Sequence, residues 1–550
     1  MTEVRADLSD AADRQVRWGV PLAVLVAGMF MSILDVTIVN VAIPTIQNDF
    51  GTTVEDVQWV ANAYTLALGV VVPLSGWLGD RFGYARVYIL SVLGFVVGSA
   101  LCGIAWDLTS LVVFRIVQAI PGGIIPVITL AMLYRIVPRE KIGTAMGMYG
   151  LGVVFAPAVG PTLGGYLVEY VDWRLIFFIN VPIGVLGAVA AVLALPHFAP
   201  GRAGRFDIWG FLAIASGLFA LLLALSEGES WGWTSYRIVM LLIFSALSLA
   251  LFVVIELAVE EPLLDVRIFR HWQFTNSLVL ISLMSVALFS GLFYVSLLLQ
   301  QAQGLGAFET GLVMLPSALA TAVVMPLSGR LYDRLGPRLP AVAGLVLVAV
   351  GTYLMAGLRV DTPRDHIMWL LVLRGFGMGL AMMPIMTGGL AAVPPHLVSR
   401  AGAFNNVVQR TSAALGVAVL TAMLTGTRAQ TMADRGALIP DGATAGLPDA
   451  PPMVALYAWY QRIDMQVFVV TLNDIFLITA VISVIGVLGA LLLRSNVRAA
   501  PGPAGEPPAE PAAPEVSIPS PRPAPEAGRL ETELPARAGA DRRSGPVSRP

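Results

Sequence analysis

The sequence predicts an all-α membrane protein with fourteen transmembrane helices, and three observations carry that prediction. Hydrophobic residues make up 57% of the 550 residues and charged residues 13%, with a mean hydropathy of +0.77, far from the balance of a soluble globular domain. Apolar runs of about 20 residues recur along the chain, each long enough to cross a hydrocarbon layer of about 30 Å as a helix. Basic residues crowd into alternate connections between those runs.

In order, the runs cover 18–43, 57–78, 86–106, 109–133, 144–168, 175–196, 208–226, 237–257, 274–299, 311–331, 339–358, 367–391, 401–424 and 467–492. The first is too long and too evenly apolar for a cleaved signal peptide. One alternating set of connections holds Arg81, Arg86, Arg135, Arg139, Lys141, Arg202, Arg205, Arg267, Arg270, Arg330, Arg334, Arg338 and Arg400. The other holds only Arg174, Arg237, Arg359, Arg364, Arg428, Arg435 and Arg462. The asymmetry predicts cytoplasmic termini, which an even number of spans requires. A segment at 1–17 precedes the first span, 427–466 reads as a long external connection, and the Pro- and Ala-rich tail 497–550 reads as disordered. Within the external connection, Met453 to Ile463 has the composition of a lid lying on the membrane surface or of an inert loop.

The chain repeats itself. GWLGDRFGYAR (Gly76 to Arg86) follows the second run, and GRLYDRLGPR (Gly329 to Arg338) follows the tenth with the same Gly, Asp-Arg and Gly spacing. FRIVQAIPGG around Arg115 in the fourth run is echoed by LRGFGMGLAM around Arg374 in the twelfth. Both pairs are offset by eight runs, which a duplicated six-helix unit with two helices inserted between the copies explains. The inserted pair, 207–257, then separates an amino-terminal bundle at 18–196 from a carboxy-terminal bundle at 271–492.

These stretches carry a family resemblance. LDVTIVNVAIP (Leu34 to Pro44), GDRFGYAR, GMYGLGVVFAPAVGPTLGGYL (Gly147 to Leu167) and WRLIFFINVPIG (Trp173 to Gly184) together resemble the major facilitator superfamily, specifically its fourteen-helix drug:proton antiporters. The resemblance covers roughly residues 18 to 495 and implies the major facilitator fold, proton-coupled efflux, and a bacterial cytoplasmic membrane. Departures are present: Tyr84 and Ala85 stand where basic residues are usual, Ala119, Pro121 and Ala156 replace glycines, and Gln409-Arg410 reverses a common order.

Asp35 is the residue that most needs explaining. A charge at mid-membrane costs about 2.5–3.5 kcal/mol on insertion scales, so such residues face a partner or an ion path. It reads as the only acid well inside a span, and Ser32, Gly28 and Ala42 share its helix face. Burial favours the neutral acid and a nearby cation favours the carboxylate, so a site with both can load and release a proton. Arg115 is the expected cation, and the family's fourth-helix motif implies a part in proton transfer. Arg374 has no acid opposite it in the ninth run and reads as structural.

Asp80, Arg81 and Arg86, with their duplicates Asp333 and Arg334, are expected to form a charge-assisted latch between the bundles. In the fifth run Gly147, Gly160, Gly164 and Gly165 permit close helix approach, and Pro161 bends the helix, as the antiporter motif implies. Trp59, Asn62, Tyr64, Phe293, Tyr294, Gln301 and Met382 are candidates to line a site for bulky amphiphiles. No metal-ligand spacing and no phosphate-binding loop are found, so neither a cofactor nor ATP is expected. The single cysteine, Cys102, excludes an intramolecular disulfide. Expected partners are small-molecule substrates, protons and the lipid bilayer, with no nucleic acid, for a chain that can act as a monomer. Export of one dedicated metabolite or lipid, and a non-transporting sensor that keeps the fold, are the rival readings.

Overall fold

The computed structural model describes residues 18–196, 205–394, 397–436 and 452–494. The expectations for 1–17 and for the tail 497–550 lie outside the described residues. Fourteen helices among the described residues are long and apolar enough to cross a membrane. They are α1 Gly19–Phe50, α2 Val54–Phe82, α3 Tyr84–Gly103, α4 Leu108–Ile136, α5 Ile142–Tyr170, α6 Leu175–Ala194 and α7 Ile208–Trp231. The second seven are α8 Tyr236–Ala258, α9 Trp272–Ala302, α10 Phe308–Leu335, α11 Arg338–Met355, α12 Arg364–Ala391, α13 Val398–Met432 and α14 Ile463–Leu491.

Local chemistry sets the ends. The α1 helix continues past its apolar run through Gln47 and Asn48 until Gly51, in the left-handed region at φ 60°, closes it with a bond to the Gln47 carbonyl. Thr53 caps α2 by accepting from Asp56 N–H, with Glu55 and Asp56 in the first turn. Asp107 and Ser110 form a reciprocal capping box at the start of α4, and the Ser110 N–H bond at 2.7 Å holds the Asp107 carboxyl below the usual carboxylate range. The duplicated loops turn on Gly83 (φ 88°) and Gly336 (φ 74°), a backbone region that a side chain disfavours.

Packing repeats with the same offset of eight helices. The pairs α1 with α5, α3 with α4, α2 with α4 and α3 with α6 recur as α9 with α13, α11 with α12, α10 with α12 and α11 with α14. The halves meet most extensively along α5 and α10. Between them in sequence, α7 and α8 form a hairpin in which α7 packs on α2 and α13. The face of α8 bearing Met240, Phe244, Leu247, Leu251 and Val254 is exposed, which bilayer contact explains.

The expected external connection 427–466 is helical at both ends: one helix runs Val398–Gly436 and the next runs Pro452–Leu491, leaving 437–451 outside the described residues. The segment Met453 to Ile463 is thus the beginning of the last helix. Residues such as Ala, Arg, Gln and Met propagate a helix readily once a span has nucleated it. Arg428 and Asp464 then tie the two extensions together at 2.6 Å.

Candidate functional site

Asp35 and Arg115 meet in the interior of the first six helices. Arg115 Nη1 lies 2.5 Å from Asp35 Oδ2, and the two side chains are 1% and 0% exposed. Helix α1 delivers the carboxylate and α4 the guanidinium, one turn before Gln118 on the same face. The Gln118 amide donates to Asp35 Oδ1 at 3.0 Å, while its carbonyl accepts from Arg115 Nη1 at 2.7 Å. A third donor comes from α6, where Asn180 Nδ2 reaches Asp35 Oδ1 at 2.9 Å. Asn180 also donates to Ser99 Oγ, which in turn donates to the Phe177 carbonyl.

The remaining surface of the guanidinium is covered as well. Its Nε donates to the Val60 carbonyl of α2, and its Cζ sits 3.8 Å from the Tyr64 ring centroid. A cation on an aromatic face is worth about 2 kcal/mol when desolvated. The Tyr64 hydroxyl is buried without a hydrogen-bond partner among the described residues. Small residues make this convergence possible: a Cβ on Gly98 would strike the Gln118 backbone, and one on Gly122 would strike the Tyr64 hydroxyl. Ser32 Oγ donates to the Gly122 carbonyl and joins α1 to α4 one turn away.

Chemically, the cluster is a buried carboxylate that accepts three hydrogen bonds, two at Oδ1 and one at Oδ2, one of them from a cation. The ion pair joins α1 to α4, and the Asn180 amide adds α6, so this one carboxylate ties three helices together.

The two loop motifs make different contacts. Asp80 accepts from Tyr84 Oη at 2.8 Å and from Arg135 Nη2 at 3.5 Å, with the Arg135 guanidinium over the Tyr84 ring. Arg81 and Arg86 are exposed and are not its partners. The turn at Gly83 folds the Tyr84 phenol back over the carboxylate, while both arginines project toward solvent. Asp80 thus bonds inside its own half. Its duplicate crosses between halves: Asp333 accepts from Gly143 N–H at 2.9 Å and from Thr144 N–H and Oγ1 at 3.1 and 3.0 Å. Those donors are the first turn of α5, where a carboxylate complements the helix dipole. Arg334 is exposed.

The α5 glycines divide between two neighbours. Gly147 and Gly165 lie against the α10 backbone at Met325, Pro326 and Phe308, whereas Gly160 and Gly164 lie against Thr37 and Ile38 of α1. Pro161 is half-buried between these surfaces.

The proposed lining residues do not form one group. Tyr64 belongs to the Asp35 cluster, and Met382 is buried in the core. Tyr294 donates to the Val417 carbonyl of α13 and shares a 2.9 Å bond with Thr421. Phe293, stacked edge-on against Tyr294, is 43% exposed; Gln301 is exposed and Trp59 half-buried. Asn62 donates instead to Glu227 of α7 at 3.0 Å. Glu227 and Glu256 of the inserted pair are buried acids that the sequence reading did not single out. Each lies near a span end, where a composition window mixes it with polar neighbours. Arg374 donates to the Ala287 carbonyl and has no acidic partner among the described residues. A Cβ on Gly291 would collide with its guanidinium.

Similarity to known proteins agrees with this architecture. Residues 25–417 match the Major Facilitator Superfamily. The chain is 34% identical over 446 residues to the tetracenomycin C resistance and export protein of Streptomyces glaucescens, covering 80% of each chain. It is 32% identical over 407 residues to a multidrug resistance protein B homolog of Mycobacterium tuberculosis, covering 73% of this chain and 75% of that one. Among solved structures, the human organic anion transporter MFSD10 aligns with a TM-score of 0.53 at 14% identity, over 85% of this chain and 100% of that one, a likeness of fold.

Proposed function

Because the chain belongs to the Major Facilitator Superfamily, we propose that it is a proton-coupled exporter of lipophilic or amphiphilic small molecules that works by alternating access. The observation that carries this reading is the buried Asp35–Arg115 pair with its Gln118 and Asn180 donors. The positive-inside asymmetry supports a cytoplasmic loop-motif face and cytoplasmic termini in a bacterial cell. A proton arriving from outside neutralises Asp35 and frees Arg115. Discharge toward the cytoplasm restores the pair and resets the cycle.

The same geometry suggests how protonation is communicated to the other half. Thr37 and Ile38, which meet Gly160 and Gly164, follow Asp35 by two and three residues on α1. Helix α5 then presents Gly147 and Gly165 to α10. A shift of α1 on protonation is transmitted to α5 through Thr37 and Ile38, because their close approach to Gly160 and Gly164 leaves little free space to absorb it.

The test is substrate-dependent proton flux in proteoliposomes. Asp35→Asn keeps size and hydrogen bonding but cannot titrate, so it should insert and purify normally while losing pH-gradient-driven export. Gradient dependence like the wild type in that variant would refute the assignment. Export of one dedicated compound is the second reading, favoured by the likeness to a relative named for tetracenomycin C alone. A panel of lipophilic compounds of different charge and shape separates the two: a broad exporter moves several, a dedicated one moves a single chemical family.

A further inference from the structure

We propose that the inserted helix α7 builds a second ligand site, a side cavity for lipophilic organic cations between α2, α7 and α13. The cavity has a volume of about 290 Å³, near the lower end of the range for small-molecule sites. It lies in the half of the molecule away from the loop motifs. There α7 comes between α2 and α13, whose own packing is concentrated at Val72–Phe82.

The lining has a distinct chemistry. Leu66, Leu222, Val417 and Ala418 give it an apolar wall contributed by all three helices. Glu229 supplies a carboxylate at the exposed edge, and among the described residues it has no ion-pair partner. Trp233 supplies an aromatic body whose buried indole N–H has no acceptor among the described residues. Among the described residues, no lysine, arginine or histidine lines the space. On α8, Arg237 lies over the Trp231 and Tyr236 rings. An apolar slot with an indole and an unpaired carboxylate at its mouth is complementary to a cation carried on a bulky apolar body.

The local sequence is arranged to hold this shape. Gly232 (φ 81°) turns the chain at the end of α7, and Gly228 lets the Trp233 ring fold back onto the helix, where a Cβ would collide with it. Behind the wall, Glu227 accepts from Asn62 and from Ser230 Oγ at 2.8 Å, which pins α7 to α2 and keeps Glu227 engaged while Glu229 stays available.

The test is equilibrium binding to the purified full chain in lipid nanodiscs, using radiolabelled tetraphenylphosphonium and its anionic isostere tetraphenylborate. Glu229→Gln should weaken tetraphenylphosphonium about tenfold and leave tetraphenylborate unchanged. Ala418→Phe, which fills the slot from α13, should abolish binding of the cation at this site. Trp233→Leu should weaken it as well. Wild-type affinity in Glu229→Gln, or equal weakening for both ions, overturns the proposal and leaves a slot for neutral lipid. The site does not depend on the proton-coupled reading, and the outcomes separate the two. Glu229-dependent binding in a protein that shows no pH-gradient-driven export leaves the cavity and removes the antiporter. Export with binding indifferent to Glu229 and Ala418 does the reverse.

Discussion

At the scale of residues, the buried pair sets limits on how any substitution can be interpreted. Breaking a buried ion pair from one side leaves an uncompensated charge, at a cost of about 3–5 kcal/mol, so Arg115→Ala confounds loss of coupling with loss of stability. Removing both charges together separates them. The double variant Asp35→Asn with Arg115→Gln should recover most of the thermal stability that Arg115→Gln loses alone, yet remain without pH-gradient-driven export. If transport returns with stability, the pair is structural only; if the two stability losses simply add, the residues are not coupled. The pair was legible in the sequence because a charge inside an apolar run stands out by its insertion cost. Asn180 and Tyr64 were not. A neutral amide or phenol in such a run costs little by itself, and only the fold shows that the first points at Asp35 and the second lies under Arg115. Glu227 was missed for a different reason: its proximity to a span end hid an acid that turns out to be only 7% exposed.

At the scale of elements, the duplicated loops show how equal sequences acquire unequal work. Both copies contain Asp-Arg followed by a turning glycine, and in both the arginine after the aspartate is exposed. The difference comes from the residue after the glycine. Tyr84 folds onto Asp80, whereas Pro337 follows Gly336 and has no side-chain donor, so Asp333 is left to reach α5. The Tyr84 departure from the family pattern, visible in the sequence, therefore marks the place where the amino-terminal copy turns inward. Asp333→Ala should remove three bonds across the halves, worth roughly 1–2 kcal/mol at this exposed position, and shift the balance between conformations about tenfold away from closure at this face. Asp80→Ala should leave that balance nearly unchanged. Accessibility of a reporter thiol placed on the loop-motif side of α5 reads both variants. Equal effects from the two would mean that the asymmetry seen here does not govern opening.

At the scale of the whole molecule, what the sequence made legible was the repeat. Its offset of eight helices appears again in the packing of α1 on α5 and of α9 on α13. The contact that joins the halves was only half visible, because the glycines of α5 announced close packing without naming the partner. The partner is α10, and the approach is tight at both ends. A Cβ on Gly143 would strike Asp333 and the Gly329 carbonyl, and at the far end the Tyr166 and Tyr170 rings meet Phe308. Two rigid halves that rock about a central site cannot keep both ends closed through a cycle. Cross-linking either end should therefore stop export. The pairs Thr144→Cys with Asp333→Cys, and Tyr166→Cys with Phe308→Cys, place thiols where side chains already touch. The only native thiol, Cys102, is buried and engaged with Gln118, so background reaction should be low. Each double variant is compared with itself before and after oxidation, which removes the effect of the substitutions, and a reductant should restore transport. Export that continues through a cross-link at one end would mean that this end never opens, and the α5–α10 contact would then be a fixed hinge about which the remaining helices move.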